Sequence, residues 1–287
     1  MGPEALRAFD GSVAIVTGGA SGIGQALGEA LAERGATAIL ADRQGERLAE
    51  VVAGIVERGG RAEAHTVDVT DRGAVEGLVA QVFSRHGRLD YLFNNAGIGI
   101  GGEARYYQPG DWDRVIDVNL RGVAHGIEAA LPRLLDQGFG HIVNTASMAG
   151  LSPFPNMVAY SATKHAVVGL SKSLRVEVAR FGVRVSVLCP GVIRTPILFG
   201  GRYGAIRQQT PEGLLERQLE RLGPMEPRPF AEQVLRKVAR NPAVIIVPGR
   251  WRLAWWLDRL APGLVMAIAR RLHERLQRQI AEVVPRS

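Results

Sequence analysis

From Ser12 onward the chain alternates short, nearly all-apolar runs rich in β-branched residues with longer segments whose apolar positions recur at helical spacing. That alternation predicts βαβ units that build a parallel sheet. The runs 13–17, 37–41, 62–67, 90–94, 140–146, 183–189 and 244–247 read as strands. Several are apolar at every position rather than at every second one, so helices are expected on both faces of the sheet. Between them, 22–34, 43–58, 71–86, 112–136, 157–181 and 230–240 have the lengths of crossover helices, with Asp71 and Asp111 placed as N-caps.

The segment 192–225 breaks this rhythm. Gly200-Gly201, Gly204, Pro211 and Gly223-Pro224 interrupt any long element there, which predicts a lid with one short helix over 212–222. The extension 251–287 predicts two amphipathic helices parted by Pro262-Gly263. In the first, Leu253, Trp256, Leu257 and Leu260 share one apolar face, and Trp251 and Trp255 project from the other side beside Arg252 and Arg259. In the second, Leu264, Ile268, Leu272 and Leu276 form a stripe opposite Arg270, Arg271, Arg278 and Gln277. With no linker to divide it, the chain is expected to form a single α/β domain over 1–287, with a core at 12–250.

Composition narrows the class. At 287 residues, 46% hydrophobic and 22% charged, the chain can bury a substantial core and is unsuited to being disordered or fibrous. The single cysteine, Cys189, excludes an intrachain disulfide framework, and its apolar neighbours predict a buried thiol. The amino-terminal residues are too poor in apolar side chains for a signal peptide, and Leu6 stands where a myristoylation motif needs Ser or Thr. The best spanning candidate, 253–269, is broken by Asp258, Arg259 and Pro262, so a cytoplasmic protein is expected.

The net charge of +7 is unevenly placed: 251–287 hold seven Arg against Asp258, Glu274 and Glu282, and so contribute +4 of it. Three readings of this basic tail stay open: an added helical layer or subunit contact, peripheral contact with an anionic membrane, or a cap over a substrate cleft. Its arginines form a stripe without an aromatic-interleaved groove, so no nucleic-acid partner is expected. The six histidines (65, 86, 125, 141, 165 and 273) show no metal-ligand spacing, and no metal is expected.

Chemistry concentrates in two motifs. After the first strand, Thr17-Gly-Gly-Ala-Ser-Gly-Ile-Gly24 opens into a helix, where a pyrophosphate can lie against exposed backbone N–H groups. Three glycines at this spacing occur by chance about 0.5 times in so glycine-rich a chain, so the strand-before and helix-after context carries the signal. Asp42, at the end of the second strand, is placed to accept bonds from the adenosine-ribose hydroxyls and to repel a 2′-phosphate, which favours NAD; Arg43 beside it leaves NADP as the alternative. Second, Tyr160-Ser-Ala-Thr-Lys164 sets Tyr and Lys on one helix face, with Ser147 thirteen residues before the Tyr at a strand end. With five Tyr and only three Lys in the chain, chance gives that trio about 0.002 times.

Together with Asp68-Val-Thr, Asn94-Asn-Ala-Gly97, Asn119 in Val-Asn-Leu and Pro190-Gly-Val-Ile-Arg-Thr195, these motifs make the chain resemble the short-chain dehydrogenase/reductase family over residues 12 to 250. The resemblance implies a Rossmann-type, doubly wound, seven-stranded parallel sheet of order 3-2-1-4-5-6-7, and a homodimer or homotetramer. It implies that Tyr160 is the general acid/base, Lys164 its electrostatic partner and a ribose binder, Ser147 the group bonding the substrate oxygen, and Asn119 the residue that holds the active-site helix. It further implies coenzyme contacts from Gly18, Ser21, Gly22, Ile23 and Gly24. By the same resemblance Asp68 and Val69 are expected to frame the adenine, Asn95, Ala96 and Gly97 to run under the ribose, and Pro190, Gly191, Ile193 and Thr195 to bracket the nicotinamide.

For Tyr160 to act as a base near neutral pH, its pKa must fall by two to three units from about 10, which is about 3–4 kcal/mol. One ammonium about 4 Å away at an effective dielectric near 20 supplies about that much. Candidates for the substrate wall, Met148, Phe154, Val158, Ile197, Leu198, Phe199 and Tyr203, are overwhelmingly apolar, whereas Arg194, Arg202 and Arg207 either bind an acidic group or face solvent. The expectation is an NAD-dependent oxidoreductase that interconverts a hydrophobic secondary alcohol, such as a steroid, terpenoid or other lipid-like molecule, and its ketone. An NADPH-dependent ketone reductase and a non-catalytic nucleotide-binding scaffold are the alternatives.

Overall fold

The computed structural model describes residues 6, 8–211 and 213–282. The amino-terminal positions 1–5 and 7, Glu212 at the start of the expected lid helix and positions 283–287 of the extension lie outside the described residues. The elements in chain order are β1 (Val13–Thr17), α1 (Gly22–Ala32), β2 (Thr37–Asp42), α2 (Gly45–Glu57), β3 (Arg61–Thr66), α3 (Arg72–His86), β4 (Tyr91–Asn94) and β5 (Gly99–Gly101). There follow α4 (Asp111–Ile116), α5 (Gly122–Gln137), β6 (Gly140–Thr145), α6 (Val158–Val178), β7 (Val183–Pro190), β8 (Gly204–Ile206), α7 (Leu214–Arg221) and α8 (Pro227–Val238). The chain closes with β9 (Val244–Val247), α9 (Trp251–Leu260) and α10 (Pro262–Ala281).

Seven strands pair in parallel in the order β3-β2-β1-β4-β6-β7-β9, which is the expected order counted over the long strands. The apolar runs have the two-sided burial they imply: Ala14 and Val16 of β1 pack with α1, α2 and α8, while Val13 and Ile15 pack with α3 and α5 on the opposite face. Each fully buried side chain of the size of Leu27, Ile15 or Phe93 contributes about 1.5–3 kcal/mol. Strand order reverses between β1 and β4, so the loops leaving their carboxyl ends diverge and open a crevice there.

Local departures from expectation have physical causes. Asp71 caps α3, its carboxylate accepting the Ala74 N–H at 3.0 Å. Asp111 is not a cap: Gly110, in the left-handed region, takes that position, and the buried Asp111 carboxylate instead receives a two-pronged ion pair from Arg207 at 2.6 and 2.9 Å. The guanidinium holds that carboxyl below its usual range. A second, unanticipated sheet pairs β5 with β8 in parallel; its glycine-rich strands carry no alternating apolar signal. It ties the lid to the loop after β4, and backbone bonds between Met225 and residues 192 and 194 close the neck of the lid.

The extension keeps the expected division of α9 into two sides and shows which of them faces the body. In α9 it is Trp251 and Trp255 that pack on the body beside Phe154, whereas Leu253, Trp256, Leu257 and Leu260 are exposed. Only Pro248, Gly249 and Arg250 separate β9 from α9, so the exit of the strand decides which side of the helix meets the body. In α10 the expected stripe divides: Leu276 turns inward, while Leu264, Ile268 and Leu272 stay exposed.

Candidate active site

The crevice at the carboxyl ends of the strands is a cavity of about 470 Å³. At one end lie Gly18, Ser21, Gly22 and Ile23 of the β1–α1 turn. Ser21 is the N-cap of α1 but makes no capping bond, which leaves the first-turn N–H groups of an eleven-residue helix facing the cavity. Gly24 sits behind the lining, where a Cβ would collide with the Gly18 carbonyl. Such a cradle fits a dinucleotide pyrophosphate.

Asp42, at the end of β2, also lines the cavity. Its carboxylate accepts the Ala20 N–H at 3.1 Å and the Gln44 N–H at 3.0 Å, so it anchors the glycine turn and keeps lone pairs for a further donor. Arg43 donates instead across the cleft to the Arg202 carbonyl of the lid at 2.8 Å. Asp68 and Val69 form the next stretch of wall. Asn95, Ala96 and Gly97 follow, the N–H groups of Asn95 and Ala96 both donating to Thr17 Oγ1, at 2.9 and 3.0 Å.

At the other end of the cavity, β6 delivers Ser147 and α6 delivers Tyr160 and Lys164. Ser147 Oγ accepts the Ala149 N–H at 3.1 Å and stands close enough to the Tyr160 phenol to oppose the rise of its pKa. Lys164 is buried, donates to the Thr145 carbonyl at 2.8 Å and lies 5.5 Å from the centre of the Tyr160 ring. Behind them, between α4 and α5, residues 117–121 widen into a π-turn that swings Asn119 inward. Its Oδ1 accepts the Ile98 N–H at 2.8 Å and its Nδ2 donates to the Ile98 carbonyl at 2.9 Å, while the same amide reaches Thr163 of α6 at 3.4 Å. Asn119 therefore braces α6 without lining the cavity.

Pro190, Gly191, Ile193 and Thr195 complete the wall where β7 ends. A Cβ at Gly191 would collide with the Trp251 indole, so the extension presses directly on this turn. A family description, short chain dehydrogenase, matches residues 12–200, two thirds of the chain, and so spans the glycine turn and the Ser147, Tyr160 and Lys164 cluster.

The chain belongs to the short-chain dehydrogenase family. As an oxidoreductase of that family it falls in a class acting on CH–OH groups with NAD(P). Levodione reductase of Leifsonia aquatica is 36% identical over 231 residues, 79% of this chain and 80% of its own. A 3beta-hydroxysteroid dehydrogenase of Mediterraneibacter gnavus is 39% identical over 190 residues, 66% of this chain and 68% of its own. Among solved structures, a short-chain dehydrogenase/reductase from Burkholderia phymatum in complex with NAD is similar at a TM-score of 0.81 and 33% identity, covering 90% of this chain and 96% of that one.

In this dehydrogenase burial dominates the electrostatics of the pair. Burial pushes the Tyr160 phenol up to about 12, against the lowering effect of Ser147, and pushes the Lys164 ammonium down to about 8. The ammonium alone therefore does not deliver the downward shift expected for Tyr160. It lies over the face of the ring and is held by the Thr145 carbonyl. Cys189, close by, is a buried thiol pushed up to about 12.

The substrate wall matches the sequence only in part. Met148, Phe154, Ile197, Leu198 and Tyr203 line the cavity. Val158 does not: it is exposed on the first turn of α6, two residues before Tyr160 and so on the opposite side of the helix. Phe199 is likewise exposed. Arg194 pairs with Glu220 and Glu226, and Arg207 with Asp111. Met157, Leu214, Leu215 and Leu219 complete the wall, with Leu276 and Ile280 from α10. Leu276 was legible only as part of an amphipathic repeat, which does not say what the apolar stripe faces, and Ile280, one turn further on, was not singled out.

Proposed function

We propose that the protein is an NAD-dependent dehydrogenase that interconverts a hydrophobic secondary alcohol and its ketone. The observation that carries this reading is the continuous cavity that joins an uncapped helix N-terminus and a buried carboxylate at one end to the Ser147, Tyr160 and Lys164 cluster and an apolar wall at the other. Gly18, Ser21, Gly22, Ile23 and the α1 amides would hold the pyrophosphate, Asp42 the ribose, Asp68 and Val69 the adenine, and Ile193 and Thr195 the carboxamide. The bound coenzyme would supply the hydride acceptor or donor. Ser147 bonds the substrate oxygen and orients it, Tyr160 donates or removes the proton at that oxygen, and Lys164 stabilises the charge that develops on the phenol. Asn119 keeps α6, and with it Tyr160 and Lys164, in register with Ile98.

Asp42 supports NAD over NADP, because a 2′-phosphate would meet a carboxylate already committed to two backbone amides. The apolar wall and the relative named for a hydroxysteroid support a bulky, lipid-like substrate. The reading includes a homodimer or homotetramer in the cytoplasm. Titration with NADH and with NADPH, followed by quenching of the four tryptophans, tests it. Tighter NADH binding and turnover of apolar secondary alcohols are expected; tighter NADPH binding would make it a ketone reductase, and turnover confined to sugars or amino acids would defeat the substrate class.

A further inference from the structure

Helices α9 and α10 each have an inner side used by the body and an outer side used by nothing among the described residues. On α9 the inner side is Trp251 and Trp255, so the opposite side, with Leu253 76% exposed, Trp256 50% and Leu260 79%, is turned to solvent. On α10 the inner side holds Leu276 and Ile280, and Leu264, Ile268 and Leu272 are 42–58% exposed. Side chains of this size, repeated along two consecutive helices, are not an ordinary solvent face. Beside them stand Arg252, Arg271, Arg275 and Arg278, all exposed or half-exposed and, among the described residues, without an acidic partner. Arg270 is held by Glu274, and Arg259 lies over the Trp255 ring.

We propose that the outward sides of α9 and α10 dock on an anionic lipid bilayer, with both helices lying in the headgroup plane. Leu, Ile and Trp would enter the acyl boundary while the arginines meet lipid phosphates, the arrangement that amphipathic interfacial helices adopt. No described helix is long and apolar enough to cross a membrane, so the contact is peripheral. Charge selects this occupant over a second copy of the chain. A symmetric contact through the same face would set two arginine rows against each other, whereas an anionic surface complements both the apolar and the basic residues. Docking also leaves the Leu276 and Ile280 wall of the cleft about one helix diameter, roughly 10 Å, from the lipid. The proposal stands independently of the coenzyme and substrate reading.

Flotation of the full-length protein with vesicles of mixed phosphatidylglycerol and phosphatidylcholine, against phosphatidylcholine alone, tests it. Flotation is expected only with the anionic vesicles, weakening as salt is raised. The double variant Leu253→Glu, Leu260→Glu, at two highly exposed positions, should bind vesicles about ten-fold less while keeping NADH-induced quenching. No flotation on the anionic vesicles, equal flotation on phosphatidylcholine alone, or undiminished flotation of the variant would each overturn the proposal. So would light scattering that shows the variant reduced to a smaller species in the absence of lipid, since the face would then belong to a second copy.

Discussion

Around the β1–α1 turn the cleft is shaped by backbone: Asp42 holds the Ala20 and Gln44 amides, Thr17 holds those of Asn95 and Ala96, and α1 presents its uncapped first turn. The opposite wall is made of side chains drawn from separate stretches, Phe154 before α6, Leu214 and Leu219 on α7, Leu276 and Ile280 on α10. A wall of backbone groups is fixed by turn geometry and tolerates few substitutions. A wall of packed side chains can change its shape without disturbing the sheet, so in the proposed function substrate specificity would reside there and coenzyme specificity would not.

The largest expected effect lies where the two walls meet. Tyr160→Phe should lower kcat by about 10³-fold and leave coenzyme binding intact, as read by tryptophan quenching; substantial turnover would remove Tyr160 from the chemistry. The pH profile is the next test. With the phenol held protonated up to about 12, its phenolate fraction grows about ten-fold per pH unit, while Lys164 keeps its charge only below about 8. For alcohol oxidation kcat/KM should therefore climb from about pH 6 and flatten above about 8, and carbonyl reduction, which uses the protonated form, should show no such climb. A flat oxidation profile would contradict this assignment.

On the backbone-built side, Asp42→Ala should weaken NADH binding about ten-fold and narrow its advantage over NADPH, since it removes both a ribose acceptor and the anchor of Ala20. On the side-chain-built wall, Leu276→Ala with Ile280→Ala should raise KM for bulky apolar alcohols by about three- to ten-fold and leave NADH affinity unchanged. Steady-state kinetics with a large and a small secondary alcohol separates the two walls; a matching loss with the small substrate would mean that α10 acts through the coenzyme side instead.

The same division governed what could be read from sequence. The seven long strands and the glycine turn were legible because continuous apolar runs and a Gly-x3-Gly-x-Gly turn each have one favoured structural solution. The positions of Ser147, Tyr160 and Lys164 followed from strand-end and helix-face arithmetic. The β5–β8 pair was not legible, because strands of Gly-Ile-Gly and Gly-Ala-Ile carry no periodicity. Nor was the orientation of α9: spacing separates Leu253, Trp256, Leu257 and Leu260 from Trp251 and Trp255 without saying which set is buried, and the chain leaves β9 so that Trp251 meets Gly191. Periodicity says that a helix has two sides, and only the tertiary connection says which one turns inward.

The hydrogen bond from Arg43 to the Arg202 carbonyl joins the residue beside the adenosine end to the loop that closes over the substrate end. Were a 2′-phosphate to recruit that guanidinium, the bond would be lost, so an exchange at position 43 made to recode coenzyme use would also free the lid from this tether.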